Sequence, residues 1–267
     1  MIAFFGMGLL GSNFVRALRK RGVGVNVWNR SADKATALEA DGARAFANPA
    51  DAARGATRLH LTLSDDAVVD AVLAAAQPAA GQTIVDHSTV SPPGVLARIA
   101  RWKERGVTYL HAPVFMGPQN ARESTGLMMV SGPRELVDLG DRPDNATCFK
   151  LLGNLFLMCM TAGLADMLAL GKQLGVAPAD AATLFDHFNP GTTITARARR
   201  MIEAKYGEAS WELAMARKDA RLIVDAAAHA GVPLAVVPAI AARMDAVIAE
   251  GHGGDDWTVI AKDALAK

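Results

Sequence analysis

Cysteine is scarce in this 267-residue chain: Cys148 and Cys159 are the two present, and their spacing fits neither a zinc-ligand pair nor a redox pair. A reduced, cytoplasmic protein is the expectation. Neither sign of charge dominates, with 28 Lys and Arg against 27 Asp and Glu, and no basic block is sustained enough to follow a phosphate backbone. Nucleic acid is therefore not an expected partner, and the clusters RWKER (101–105) and ARARR (196–200) are expected on solvated helix faces. The histidines, at 60, 87, 111, 187, 229 and 252, show no metal-ligand spacing, so no metal is expected. The opening MIAFFGMGLLGSNF lacks the ordered basic lead, apolar core and cleavage site of a secretory signal. One long apolar run exists, KLLGNLFLMCMTAGLADMLALG at 150–171, but Asn154 and Asp166 interrupt it. It is expected as a buried central helix rather than a membrane span, because that reading places no acid in lipid.

What is present is a chain with 51% apolar residues, enough to fill a substantial core in one large domain or two smaller ones. Ile2–Phe5 is a short apolar run, followed by GMGLLG (6–11), a helical stretch and a second strand at Val23–Trp28. Strand, turn, helix and strand make a β-α-β unit. The alternation continues with strands expected at 43–46, 57–63, 83–88, 108–114 and 127–132, and helices expected between them. This predicts a mostly parallel sheet covered on both faces. From Phe149 the strand candidates stop: a long helix is expected to about Gly175, a start at Pro178, then helices around 195–205, 210–230 and 234–250. The fold class is thus α/β, a Rossmann-type dinucleotide-binding domain over 1–148, followed by a connecting helix and an all-helical domain over 149–267 for substrate binding and dimerisation. The cleft between the domains is the expected binding site.

In GMGLLG, Gly6 permits the tight turn, Gly8 lets a pyrophosphate approach the backbone, and Gly11 lets helix and sheet pack closely. The unpaired amides of Met7, Leu9 and Leu10 at that helix start belong to the same phosphate-binding turn. Where an acid after the second strand would indicate NAD, this chain has Asn29, Arg30 and Ser31. A guanidinium there can pair with a 2'-phosphate, so NADP is preferred, with NAD possible. Lys34 adds a further cation, or is an ordinary solvated lysine.

Leu63, Ser64 and Asp65 follow the fourth strand, and Ser88 and Thr89 follow the fifth, placing all of them at the carboxyl edge of the sheet. Their hydroxyls either hold ligand or cap the next helix. Lys150 and Asn154 share a helix face one turn apart. A lysine in a partly dry cleft can exchange a proton with a reacting oxygen; equally, it can simply snorkel at a helix start. Lys218 and Asp219 read as a surface pair or a site pair.

The ordered set GMGLLG, WNRS, DHSTVSP, APVFMG, GLMMVSG, KLLGN, ADMLALGKQLG and KDARL closely resembles the β-hydroxyacid dehydrogenase family, which includes 3-hydroxyisobutyrate dehydrogenases and glyoxylate/succinic semialdehyde reductases, and it spans nearly the whole chain. The resemblance implies a dimer or tetramer, Lys150 as catalytic general acid/base, Asn154 as its partner, Ser88 and Thr89 against substrate and nicotinamide, and Lys218 near the nicotinamide. Three departures accompany it. The loop that usually reads APVSGG is Ala112 to Gly117 here, with Phe115 and Met116 before Gly117, which removes a hydroxyl anchor and adds apolar bulk at the substrate. The usual double asparagine is Gly153 and Asn154. The interval from Gly132 to Lys150 is shorter than the resemblance implies by about twenty residues, read as sequence missing from the chain rather than as a lost helix and strand, since that loss would bare an apolar sheet edge and floor. The expected activity is hydride transfer between NADP and a small β-hydroxyacid, semialdehyde or related carbonyl. The alternatives are an imine reductase for a bulkier apolar substrate and an inactive NADP-binding protein.

Overall fold

A computed structural model describes residues 1–130 and 142–266. The first compact unit covers Met1–Asn154 and the second Leu155–Lys267. In the first, β1 (Ile2–Phe5), α1 (Leu9–Lys20) and β2 (Val25–Trp28) form the expected opening. Then come α2 (Ala32–Thr36), continued by a 3-10 turn, β3 (Arg44–Ala45), α3 (Pro49–Ala53), β4 (Arg58–Leu61), α4 (Asp66–Ala76), β5 (Thr83–Asp86), α5 (Pro92–Glu104) and β6 (Thr108–His111). The six strands make one parallel sheet in the order β3-β2-β1-β4-β5-β6. Phe5 is level with both Trp28 and Leu61, and Asp86 with both Leu61 and His111, so the loops leaving these strands gather at one carboxyl edge.

The pleat sends successive residues to opposite faces. Phe5 joins Leu59, Leu61, Ile84 and Trp102 in one buried cluster, while Phe4 joins Val15, Val27 and Leu38 in another. Local capping agrees with this arrangement. Asp65 accepts a hydrogen bond from the Val68 N–H and starts α4; Ser91 accepts from the Gly94 N–H, ahead of prolines in the first turn of α5. Buried Arg98 donates to Asp66 and Asp70, tying α5 to α4.

The 127–132 segment differs from expectation. β7 (Val114–Phe115) and, after α6 (Pro118–Glu123), β8 (Leu127–Met128) pair antiparallel in a separate ribbon. The ribbon forms because Met129 N–H donates to the Pro113 carbonyl across a turn closed by Gly126, whose φ is +93°. The shortened interval after Gly132 falls largely on 131–141, outside the described residues.

α7 (Asn145–Gln173) is one continuous helix that begins in the first unit and runs into the second. Its expected burial is not found: Ala146 and Thr147 are its buried residues, while Leu152, Leu155 and Met158 are each more than 60% exposed. It is long and apolar enough to cross a membrane by length and composition. Apolar residues occupy every side of it, so no single stripe can be satisfied by packing on one neighbour.

The second unit continues with α8 (Pro178–Ala182), α9 (Leu184–His187), α10 (Ile194–Ile202), α11 (Leu213–Ala230), α12 (Val237–Ala249) and α13 (Lys262–Leu265), with no strand among its described residues. Leu213, Ala216, Met244, Val247 and Val259 form its core. Buried Asp256 is the polar centre of this unit: Arg200 Nη1 donates to it at 2.5 Å, Ser210 donates through N–H and Oγ, and Thr258 does the same. Burial opposes ionisation, but the Thr258 and Ser210 hydrogen bonds prevail and hold the carboxyl well below its usual range.

Candidate functional site

The carboxyl edge of β1, β2 and β4 encloses a cleft of about 740 Å3. It lies beside the point where the chain, having wound outward from β1 through β2 to β3, returns to the other side of β1. Open α/β sheets bind ligands at such a switch point. Gly6, Gly8, Asn29, Arg30, Ser31, Leu63 and Ser64 line the cleft, so half of the expected cofactor residues share one space.

The glycines have separable reasons. Gly6 has φ +96°, and a Cβ there would fall on the Thr62 carbonyl oxygen. A Cβ on Gly11 would fall on the Gly6 carbonyl oxygen and press on Thr62 Oγ1, which donates to that same oxygen at 2.8 Å. Nothing lies within 4 Å of the Cβ position at Gly8. Two glycines thus serve packing, and the third leaves the backbone open. Gly8 is also the N-cap of α1 and supplies no side-chain cap, so the first amides of that helix, including those of Leu9 and Leu10, are left for an anion. The Met7 N–H instead donates to Asn29 Oδ1 at 2.8 Å, and Asn29 Nδ2 donates to the Ser31 carbonyl. Asn29 therefore fixes the glycine turn against the end of β2.

Arg30 and Lys34 are exposed and line the cleft, and their side chains have no ion-pair or hydrogen-bond partner among the described residues. Two unpaired cations, open turn amides and an uncapped helix start fit a phosphorylated dinucleotide. Thr62, Trp28 and the α4 alanines Ala71 and Ala75 also line the cleft, and sequence reading missed them. Thr62 was detectable in principle, being the residue directly after β4; the alanines carry no chemical signal.

Other expected residues do other work. Asp65 caps α4 and accepts from Ser64 Oγ; the Val68 N–H, then Ser64, holds its carboxyl below the ordinary value. Ser88 is buried, and its Oγ accepts from the Leu63 N–H at 2.9 Å, so it positions the Leu63 loop. Thr89 is exposed. Lys218 lies on α11 in the second unit and pairs with Asp219 at 3.0 Å.

Lys150 does not line the cleft. It is half-buried, and burial pushes its amine below the ordinary lysine value. Its Nζ lies 4.0 Å from the centroid of the Phe115 ring. Phe115 and Met116 are half-buried, Gly117 is the N-cap of α6, and Asn154 is half-buried one turn beyond Lys150.

Beneath the sheet's carboxyl edge the structure gathers three histidines that spacing had left apart. His60 Nδ1 is 3.0 Å from His87 Nε2, His87 Nδ1 is 2.8 Å from the Ala112 carbonyl, and His111 Nε2 is 2.9 Å from the Ser88 carbonyl. Burial first, then His87 and Arg58, lowers His60 to about 3. Burial also lowers His87 and His111.

The family model described as the NAD binding domain of 6-phosphogluconate dehydrogenase matches residues 1–142, and that described as NAD-binding of NADP-dependent 3-hydroxyisobutyrate dehydrogenase matches 145–263. A 2-(hydroxymethyl)glutarate dehydrogenase from Eubacterium barkeri is 25% identical, the alignment covering 98% of this chain and 93% of that protein. A reductive aminase from Aspergillus terreus, solved with an NADPH-type cofactor, cyclohexanone and allyl amine, superposes with a TM-score of 0.91 at 24% identity, covering 98% of both chains. An imine reductase from a Pseudomonas species gives 0.90 at 23% identity, again covering 98% of both. At these identities the solved structures establish the fold. The chain belongs to the family defined by the NAD-binding domain of 6-phosphogluconate dehydrogenase, and is a Rossmann-type NAD(P)-binding oxidoreductase whose second part matches that of the 3-hydroxyisobutyrate dehydrogenases.

Proposed function

We propose that this protein is an NADPH-dependent imine reductase acting on a bulky, apolar C=N substrate. The observation that carries the reading is the Phe115 ring against Lys150: where a hydroxyl-bearing loop would anchor a carboxylate, an aromatic face occupies the place and engages the ammonium. The likeness in fold to a reductive aminase and an imine reductase supports it. Arg30 and Lys34, in a cleft with no carboxylate among its lining residues, support NADPH over NADH.

Bound nicotinamide supplies the hydride for the C=N carbon. The Lys150 ammonium supplies the proton: an Nζ–H bond breaks, an N–H bond of the product amine forms, and the neutral lysine recovers its proton from solvent. Asn154 orients the reacting nitrogen, and Phe115, Met116 and Gly117 form the apolar side of the substrate site. Ser88 holds the Leu63 loop at the cofactor, and Lys218 serves the nicotinamide end. Two copies of the chain cover the exposed apolar surface of α7, giving a homodimer.

A second reading is favoured by one observation, the half-buried Lys150, whose lowered pKa equally suits proton exchange with the oxygen of a semialdehyde or small β-hydroxyacid. A panel of cyclic imines, ketone and amine pairs, semialdehydes and β-hydroxyacids, run with NADPH and NADH in parallel, separates the two. Amine formation with NADPH, lost in Lys150→Ala while NADPH affinity is kept, is the expected result. Turnover of β-hydroxyacids with imines inert establishes the second reading, and full activity of Lys150→Ala removes the lysine from the mechanism.

A further inference from the structure

Lys150 and Gly153 are three residues apart on α7 and so share a face of the helix. Glycine is a poor helix former, and at this position it has a steric reason to be present. A Cβ on Gly153 would coincide with Cζ of Phe115 and press on both of its Cε atoms. The ring lies in the space a side chain at 153 would occupy. The backbone of Phe115 is packed against the ribbon turn: Gly126, at φ +93°, has no room for a Cβ between Met116 Cγ and the Phe115 carbonyl oxygen. The same ring carries the Lys150 ammonium on its face. No carboxylate, imidazole or second cation on β7, α7 or the Gly126 turn is within hydrogen-bond or ion-pair reach of Nζ among the described residues, and the ring is its polar partner.

We propose that Phe115 is the positioning residue for Lys150, that Gly153 is what admits it, and that these three residues form a single specificity-determining unit. The two changes at 115 and 153 are therefore one change made twice: the ring requires the glycine, and the glycine is filled by the ring. The ring's negative face opposes the effect of burial on the amine, keeping the proton on Nζ and limiting the rotamers it samples. A substrate carboxylate finds no free ammonium here, whereas an aryl or cycloalkyl group beside the C=N carbon meets an aromatic wall. That consequence rests on the proposed imine reductase activity; the unit itself does not.

Two measurements test the unit without turnover. Thermal unfolding is followed for the wild type, Gly153→Ala, Phe115→Ala and the double variant. Gly153→Ala is expected to lower Tm in the wild type, where the methyl meets the ring, and to raise it in the Phe115→Ala background, where only the gain in helix propensity remains. The same sign in both backgrounds would overturn the coupling. Separately, the amine is reductively methylated with 13C-formaldehyde in the intact protein and titrated by NMR, with its resonance assigned from Lys150→Arg. Phe115→Leu, which keeps apolar bulk without a π face, is expected to lower the midpoint by about half a pH unit, and Phe115→Tyr to leave it in place. An unmoved midpoint in Phe115→Leu would overturn the positioning role. Should the enzyme fail to reduce imines, the proposed activity falls while both of these results stand.

Discussion

Arg30 offers the most direct residue-scale test of cofactor choice. It is exposed, unpaired among the described residues and lines the dinucleotide cleft, so its removal changes little but the charge presented there. Charge-assisted hydrogen bonds to phosphate are worth about 1.5–3 kcal/mol, so Arg30→Ala is expected to weaken NADPH binding by roughly 10- to 100-fold with NADH binding nearly unchanged. Fluorescence titration of both cofactors checks this, and an equal loss for both would show that Arg30 does not meet the 2'-phosphate. The buried histidines give a second residue-scale prediction. His60 titrates near 3 in the folded protein against 6.5 ordinarily, so the unfolded chain binds the proton first. The stability contributed by its neutral form is complete above pH 6.5 and is lost as pH falls from there toward 3, at up to about 1.4 kcal/mol per pH unit. His60→Phe, which keeps a ring against Phe4, is expected to flatten the decline in Tm between pH 7 and 5; an unchanged slope would assign that decline to other groups. Gly6, Gly8 and Gly11 were legible in the sequence as a spaced set that directly follows one strand and opens one helix. The Phe115–Gly153 contact and the histidine cluster were not, because each joins residues that only the folded chain brings together.

Among elements, β1 and α1 were readable because strand, glycine turn and amphipathic helix follow one another without interruption. The β7–β8 ribbon was not: strands of two residues carry no period, and their pairing depends on Gly126 and a Pro113 carbonyl rather than on pattern. α7 was recognised as a helix, but hydropathy cannot say what covers it. Among the described residues Leu152, Leu155 and Met158 are left bare, and a second copy is the cover proposed above. Sedimentation is expected to give at least twice the mass of one chain, and Leu155→Glu with Met158→Glu to shift it toward the single-chain mass. A wild-type protein sedimenting as one chain would remove that cover. Asp256 organises the second unit in the same concrete sense. Breaking a buried ion pair of this kind costs about 3–5 kcal/mol, so Asp256→Ala is expected to lower the stability of the helical unit by that order in chemical denaturation. Its folded carboxyl being held low, the contribution is present above the ordinary value of 3.8 and declines only as pH falls below it.

For the whole molecule, the dinucleotide half was legible because its chemistry is written in backbone constraints, and glycine records such constraints in the sequence. Substrate choice was less so, since on the proposed reading it depends on which side chain fills which space beside Lys150. The loop residues Phe115 and Met116 raised the question, and Gly153 answers why the bulk can be accommodated. A cleft that fits a phosphorylated dinucleotide and an amine held on an aromatic face are the two grounds of the proposed reduction of C=N in an apolar setting. The most direct test is the ratio of kcat/KM, with NADPH at saturation, for a cyclic imine bearing an aryl or cycloalkyl substituent and for the semialdehyde of a small β-hydroxyacid. A ratio well above one, with the secondary amine identified as product, is the predicted result; a ratio well below one, with the hydroxyacid as the product formed, would contradict it.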